Sequence, residues 1–214
     1  SGLVGSEMCI RDRYQLQEDL LMEKDKLNTK KLILAGIFLV IIVLMTSLLR
    51  VPVYQTTDSG TSPVIRNNGD PAGSYLNLGD APIYAAALVL GGPLGALVAA
   101  IGSCLADLFV GSSVYAIPSF IVKGCMALLA ARLLKKGSGW MELIKVCLYC
   151  SLIMIAGYFL FDLVIMGDYG VASFALPLDL LQTVVNTILA VPVLKVLSGK
   201  LYKEKDNDFI VRVK

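Results

Sequence analysis

The sequence predicts an all-α fold, an integral membrane bundle of six transmembrane helices with both the N- and the C-terminus on the cytoplasmic side. Three observations lead there. Of the 214 residues, 56% are hydrophobic and only 17% charged, and the mean hydropathy is +0.72, a balance too apolar for a soluble domain of this length. The chain divides into six apolar windows near the length, about 20 residues, that a hydrocarbon core about 30 Å thick demands. Lysine and arginine gather in alternate connections between those windows.

Taken in order, residues 3–13, LVGSEMCIRDR, resemble the translation of a sequencing-library adapter joined to a truncated reading frame, so residues 1–13 are set aside from the fold. Residues 14–30 read as a cytoplasmic N-terminal segment, 31–200 as the membrane domain and 201–214 as a cytoplasmic tail. The first window, LILAGIFLVIIVLMTSLL (32–49), is too long for a signal-peptide core and lacks a small-residue cleavage site, so it stays as a helix. The second runs from Asp80 to Gly91 and the third from Pro93 through LGALVAAIGSCLADLFV, with GGP between them allowing only a tight turn. The fourth is 115–134, the fifth 143–166 and the sixth 175–197. Pro82, Pro118 and Pro177 fit first turns, whereas Pro192 is expected to kink its helix.

Orientation follows from the short connections. Lys24, Lys26, Lys30 and Lys31 precede the first helix; Arg132, Lys135 and Lys136 follow the fourth; Lys195, Lys200, Lys203 and Lys205 close or follow the sixth. With six spans these groups share one side, the cytoplasmic one. The opposite connections carry Asp58, Asp70 and Asp168, with Arg50 and Arg66 as their basic residues. Between the first and second helices, VPVYQTTDSGTSPVIRNNGDPAGSYLNLG is polar, rich in turn residues and far longer than a minimal link, as functional lids and disordered loops are. No internal repeat is visible, so the inverted-repeat plan of many secondary transporters is not supported.

Composition also excludes function classes. The sequence contains no histidine, which removes the commonest general base and zinc ligand. A net charge of +2 makes no case for nucleic acid. No metal site or cofactor is expected. Cys147 and Cys150, in CLYC, have redox spacing but lie within lipid-compatible sequence, where thiols act as small packing residues. No GxxxxGK[ST] phosphate loop is present, so any ATP-driven step belongs to a partner.

What remains is a set of polar residues inside the windows. Asp107, in AIGSCLADLFV, is the sharpest case, since a charge at a helix centre in a bilayer costs roughly 2.5 to 3.5 kcal/mol on insertion scales. With the topology above, all of them fall in the outer half. Asp80 and Tyr84 open the second helix, Ser103 and Asp107 close the third, Lys123 lies eight residues into the fourth, and Tyr158 and Asp162 close the fifth. Asp179, Gln182 and Asn186, spaced by three and four, stack along one stripe of the sixth. Lys123 needs a carboxylate, and Asp107 on the neighbouring helix is the first candidate. Interhelical glue would place such groups at any depth; their gathering under the long loop points to a water-filled external pocket for a polar, planar solute, lined by Asp80, Tyr84, Ser103, Asp107, Lys123, Tyr158, Asp162, Gln182 and Asn186. Gly95, Ala99, Ser103 and Ala106 permit close helix contact and fit ordinary packing. No continuous polar column crosses the inner half, which disfavours a channel.

The segments NLGDAPIYAAALVLGGPLGALVAAIGSCLADLF, FIVKGCMALLAARL, AGYFLFD and ALPLDLLQTVVN, in this order, resemble the substrate-binding S component of energy-coupling factor (ECF) transporters, and most of all the riboflavin-type branch. The resemblance implies a six-helix protein of a prokaryotic plasma membrane that captures a vitamin or vitamin precursor from outside. It also implies a membrane T component and two cytoplasmic ATPase subunits as partners, and no catalysis. Two departures stand out. The AxxxA pattern often used on the first helix against the T component is broken, Ala35 being followed by Leu39. The tryptophans that line thiamin-type sites have no counterpart, because the only one here, Trp140, falls in a cytoplasmic loop; stacking would fall to Tyr84, Tyr115, Phe120 or Tyr158. A small intramembrane enzyme using Asp and Lys, and a membrane scaffold without a ligand, are the competing readings.

Overall fold

Six helices arise from the six windows, but they are unequal. The computed structural model describes residues 29–52, 54–57, 60–63, 75–165, 167 and 169–213. The adapter-like segment, most of the N-terminal stretch and, in the connections, Asp58, Arg66, Asp70 and Asp168 lie outside the described residues. Helix α1 (Thr29–Leu48), α3 (Gly92–Phe109), α4 (Ser113–Leu133), α5 (Trp140–Leu160, continued by a π-helical turn over Phe161–Ile165) and α6 (Tyr169–Val213) are all long and apolar enough to cross a bilayer. Helix α2 (Asp80–Leu90) is not: its 11 residues rise only about 16 Å. It starts inside the bundle, preceded by extended chain.

That extended chain belongs to the connection after α1. Strands β1 (Arg50–Pro52) and β4 (Tyr75–Asn77) pair antiparallel, Arg50 opposite Asn77, and β2 (Tyr54–Thr57) pairs with β3 (Gly60–Pro63) as a hairpin. The ribbon β1–β4 thus ties the end of α1 to the start of α2. Its last residue, Asn77, is buried.

Side chains sort as hydrocarbon requires. Leu32, Ile33, Ile37, Val40, Leu44 and Leu48 of α1 are exposed, as are Leu180, Leu181, Val184 and Ile188 of α6; apolar exposure of this extent suits lipid rather than water. Inside, small residues let the helices close. A Cβ on Gly95 of α3 would stand 3.1 Å from the Ala87 Cα of α2, one on Gly102 2.9 Å from Ile42 of α1, and one on Gly124 of α4 3.2 Å from Ala100 of α3. The small-residue stripe of α3 therefore packs within the bundle. Cys147 and Cys150 are fully buried in the same core. The α2–α3 turn uses Gly91 at φ 71° and Gly92 at φ 27°, backbone that glycine adopts without a Cβ clash, and Pro93 then opens α3 where its missing N–H is not needed.

Two expectations from the windows are corrected. Pro118 lies in the second turn of α4 and Pro177 well inside α6, because those helices begin at Ser113 and Tyr169, earlier than read. Among the three prolines only Pro82 sits in a first turn. Helix α6 continues to Val213, into the segment read as a cytoplasmic tail.

Candidate functional site

A start for α2 within the bundle leaves its first N–H groups, and those of the strand before it, away from water, where an unpaired backbone group costs several kcal/mol. The stripe on α6 supplies the partners. The Asn77 N–H donates to Gln182 Oε1 at 2.9 Å, the Ala81 N–H donates to Asn186 Oδ1 at 3.3 Å, and Asn186 Nδ2 donates to the Asn77 carbonyl at 2.7 Å and to the Gln182 carbonyl at 3.0 Å. Asn77 turns its own Oδ1 back to accept from the Gly79 N–H at 2.6 Å. Gly79 is obligatory here, since a Cβ would collide with Thr46 Oγ1 of α1.

Asp80 follows at the first position of α2, where the positive end of the helix dipole favours a carboxylate. Lys123 Nζ makes a salt bridge to Asp80 Oδ1, and Gln182 Nε2 donates to Asp80 Oδ2 at 3.0 Å. Lys123 and Asp80 are 2% and 1% exposed, so each charge depends on the other. This corrects the sequence expectation that Asp107 answers Lys123. Gly124 of α4 packs closely against Ala100 of α3, and the preceding residue, turned by about 100°, reaches Asp80 of α2 instead.

Above this knot lies an open pocket, with about 550 Å³ of empty space when its mouth is included. Asn77 and Gln182 form part of its wall, with Asp107 from α3 and Tyr115, Ser119 and Lys123 from α4. Tyr158 and Asp162 come from the end of α5, and Ala175, Leu178 and Asp179 from α6. The π-helical turn, a feature frequent at functional sites, carries Asp162, whose Oδ1 accepts from the Tyr115 hydroxyl at 2.7 Å. Tyr115 lies edge-on to Tyr158, with centroids 6.3 Å apart, and tilted against Phe161 at 5.6 Å. The Tyr158 hydroxyl is 2.8 Å from Ser119 Oγ, and Lys123 Nζ lies 5.5 Å from the Tyr158 ring centre. Close contact between α4 and α5 makes this possible: a Cβ on Gly157 would stand 2.5 Å from Val122.

Of the nine residues expected from sequence, Asp107, Lys123, Tyr158, Asp162 and Gln182 reach the pocket wall. Asp80 and Asn186 stand behind it in the knot. Tyr84 is 1% exposed, its hydroxyl donating to the Cys147 carbonyl at 3.1 Å and lying 3.1 Å from Ser151 Oγ. Ser103 is buried in the α3 packing face. Asn77, Ser119 and Asp179 join the wall without having been singled out for it. The stripe spacing of Asp179 with Gln182 was the available signal for one of them; Asn77 and Ser119 carry none.

A family model for the ECF-type riboflavin transporter S component matches residues 26–199. The chain belongs to that family. Among solved structures, the S component described as "Structure and mechanism of the S component of a bacterial ECF transporter" aligns at a TM-score of 0.52 and 19% identity, covering 85% of this chain and 98% of the other. It shows the shared S-component fold. No curated protein matches. This S component is thus a multi-pass membrane protein and a substrate-binding transporter subunit. Among the described residues, no cluster of His, Cys, Asp and Glu is placed to hold a metal ion.

Proposed function

We propose that this S component captures a vitamin or vitamin precursor, riboflavin-like, pyrimidine or pyridoxine-like, from outside a prokaryotic cell and hands it inward with a membrane T component and two cytoplasmic ATPase subunits. The carrying observation is the pocket, whose lining side chains come from the ends of α3 and α5, the start of α4 and the outer part of α6, all at the end of the bundle where the long β-ribbon connection enters. Lys135, Lys136, Lys195 and Lys200 occupy the other end, which supports that end as cytoplasmic. Binding then falls to Asn77, Asp107, Tyr115, Ser119, Lys123, Tyr158, Asp162, Asp179 and Gln182, with Asp80 and Asn186 holding the floor. Energy comes from partners, because the sequence holds no phosphate-binding loop.

The test is mass spectrometry of solute that copurifies with the detergent-extracted protein. The expected result is one small heteroaromatic compound, recovered chemically unchanged, whose uptake by cells requires this chain together with a T component and ATPases. An altered product, or loss of the solute's uptake without any loss of binding by pocket variants, would defeat the proposal.

A further inference from the structure

Two neighbouring groups of the pocket wall keep hydrogen-bonding capacity that the described residues do not use. The first is the Asn77 side-chain amide. The Asn77 backbone N–H donates to Gln182 Oε1, its carbonyl accepts from Asn186 Nδ2, and its side-chain Oδ1 accepts from the Gly79 N–H at 2.6 Å. A backbone N–H can only donate, so that last bond decides which arm of the amide is oxygen, and it turns the other arm, Nδ2 with its two hydrogens, away from Gly79. Nδ2 has no partner among the described residues and is not one of the enclosed unpaired atoms. Asn77 is otherwise buried and lines the cavity, so Nδ2 opens there.

The second group is the Asp179 side chain. It lines the same cavity, and its oxygens make no hydrogen bond among the described residues; only its backbone carbonyl accepts, from Thr183. Asp179 stands one turn before Gln182 on α6, about 4.5 Å along the axis, and Gln182 is the residue that holds the Asn77 N–H. Gln182 itself is used at both ends, its Nε2 donating to Asp80 Oδ2 and to Met154 Sδ. A donor of fixed orientation and an acceptor thus flank one strip of wall. A solute that fills the pocket takes water from both, and a polar group stranded in that way costs its full desolvation penalty.

We propose that the solute is read at one ring edge on which a hydrogen-bond acceptor and an N–H donor are neighbours, the acceptor facing Asn77 Nδ2 and the N–H facing the Asp179 oxygens. This rests on the solute-capture reading above and narrows it. A 4-aminopyrimidine, with a ring nitrogen beside an exocyclic amine, presents that pair, and so does the imide edge of a flavin, with a carbonyl beside a ring N–H. A pyridoxine-like ring, which bears hydroxyls and no exocyclic N–H, does not. The assignment is independent of the charge of the solute, since Asp179 accepts equally from a neutral N–H.

The test uses full-length protein in detergent or nanodiscs and two probe series. In the first, 4-amino-5-hydroxymethyl-2-methylpyrimidine is compared with an analogue carrying methyl in place of the amine, which lacks the donor, and with a pyridine analogue in which carbon replaces the ring nitrogen beside the amine, which lacks the acceptor. In the second, riboflavin is compared with 3-methylriboflavin, which lacks the donor. The expected result is that in one series the parent compound binds about tenfold or more tightly than its depleted analogues. Asp179→Leu, similar in size, should bring the donor ratio toward one and leave the acceptor ratio standing. Asn77→Asp keeps an oxygen for the Gly79 N–H but replaces Nδ2 by a second oxygen; it should bring the acceptor ratio to one or below and leave the donor ratio standing, and should weaken both flavins alike. A purely structural role for either residue would lower all affinities together and move neither ratio. The ratios of the parent protein stand without the variants.

Equal affinities within the series that binds, ratios unmoved by both variants, or a copurifying solute without a neighbouring acceptor and N–H donor would overturn the edge assignment and leave solute capture standing. No binding by any probe together with no copurifying solute would overturn both.

Discussion

The floor of the pocket and its α5–α6 wall are built from the same kinds of side chain, yet they meet opposite fates. On the floor, Asp80, Lys123, Gln182, Asn186 and the Asn77 backbone saturate one another, each amide or charge having a partner from a different element. On the wall, Asp162 accepts from the Tyr115 phenol, whereas the side chain of Asp179 has no hydrogen bond among the described residues and only its backbone carbonyl accepts, from Thr183. A polar group within hydrocarbon is tolerated either because protein satisfies it or because water or a solute does. The floor belongs to the first kind and makes the fold possible; on the wall, the Asp179 side chain is of the second kind.

The largest effect should come from splitting the ion pair. Lys123→Met leaves the Asp80 carboxylate buried without its counter-charge, which typically costs about 3 to 5 kcal/mol. Thermal unfolding in detergent should register that loss, with little folded protein recovered. Adding Asp80→Asn to it should restore much of the stability, because removing both charges of a buried pair is far less damaging than removing one. A double variant no more stable than Lys123→Met would mean that the floor is not held by charge pairing.

Next in size is Asn186→Leu, which strips partners from the Ala81 N–H and the Asn77 carbonyl at once. Each stranded group costs about 1 to 3 kcal/mol. The effect should be local, appearing as faster amide exchange at Asn77 and Ala81 and easier proteolysis of the connection before α2. Unchanged exchange there would show that the entering strand does not depend on α6.

Much of this division was invisible in the sequence, and the reasons are physical. Apolar length located all six helices, and helical spacing correctly grouped Gln182 with Asn186 on one face of α6. Depth along a helix is set by position in the chain, so the gathering of polar groups toward one end was also legible. Azimuth is not. Whether Tyr84 faces the cavity or the Cys147 carbonyl depends on how α2 is rotated, and an apolar window with small residues on all sides does not encode that. Nor does spacing choose between Asp107 and Asp80 for Lys123. The choice is set by the rotation of α4, which packs Gly124 closely on Ala100 of α3 and places Lys123 on Asp80 of α2. The shortness of α2 was legible in its window, Asp80 to Gly91, but its depth was not. The residues before it, GDPAGSYLNLG, read as an external loop, and only the amides of α6 reveal that the backbone entering α2 is already inside the bundle.

A smaller loss is expected for Tyr115→Phe, which removes a 2.7 Å hydrogen bond to Asp162 but keeps the ring's edge-on contact with Tyr158 and its tilted contact with Phe161. A partly buried hydrogen bond of this kind contributes about 0.5 to 1.5 kcal/mol. Unfolding should shift by a few degrees at most, while ligand retention weakens more than stability does. An equal loss in both would move Tyr115 from the wall to the structural floor.

The smallest change in stability, and the most informative, belongs to Asp179→Asn. The amide is nearly the same shape as the carboxylate, and the carboxylate makes no hydrogen bond or salt bridge among the described residues that the amide would break. Removing a charge from a partly desolvated site lowers its desolvation cost and its repulsion with Asp162. Ligand-free Asp179→Asn should therefore unfold at the parent's temperature or slightly above it, while Asp80→Asn, which strands the Lys123 ammonium, unfolds well below. Two aspartates on the same bundle would then respond to the same substitution with opposite signs, one because its charge is answered by protein and the other because it is not. If Asp179→Asn instead destabilised the ligand-free protein as much as Asp80→Asn, the wall would be carrying structural load in the same way as the floor.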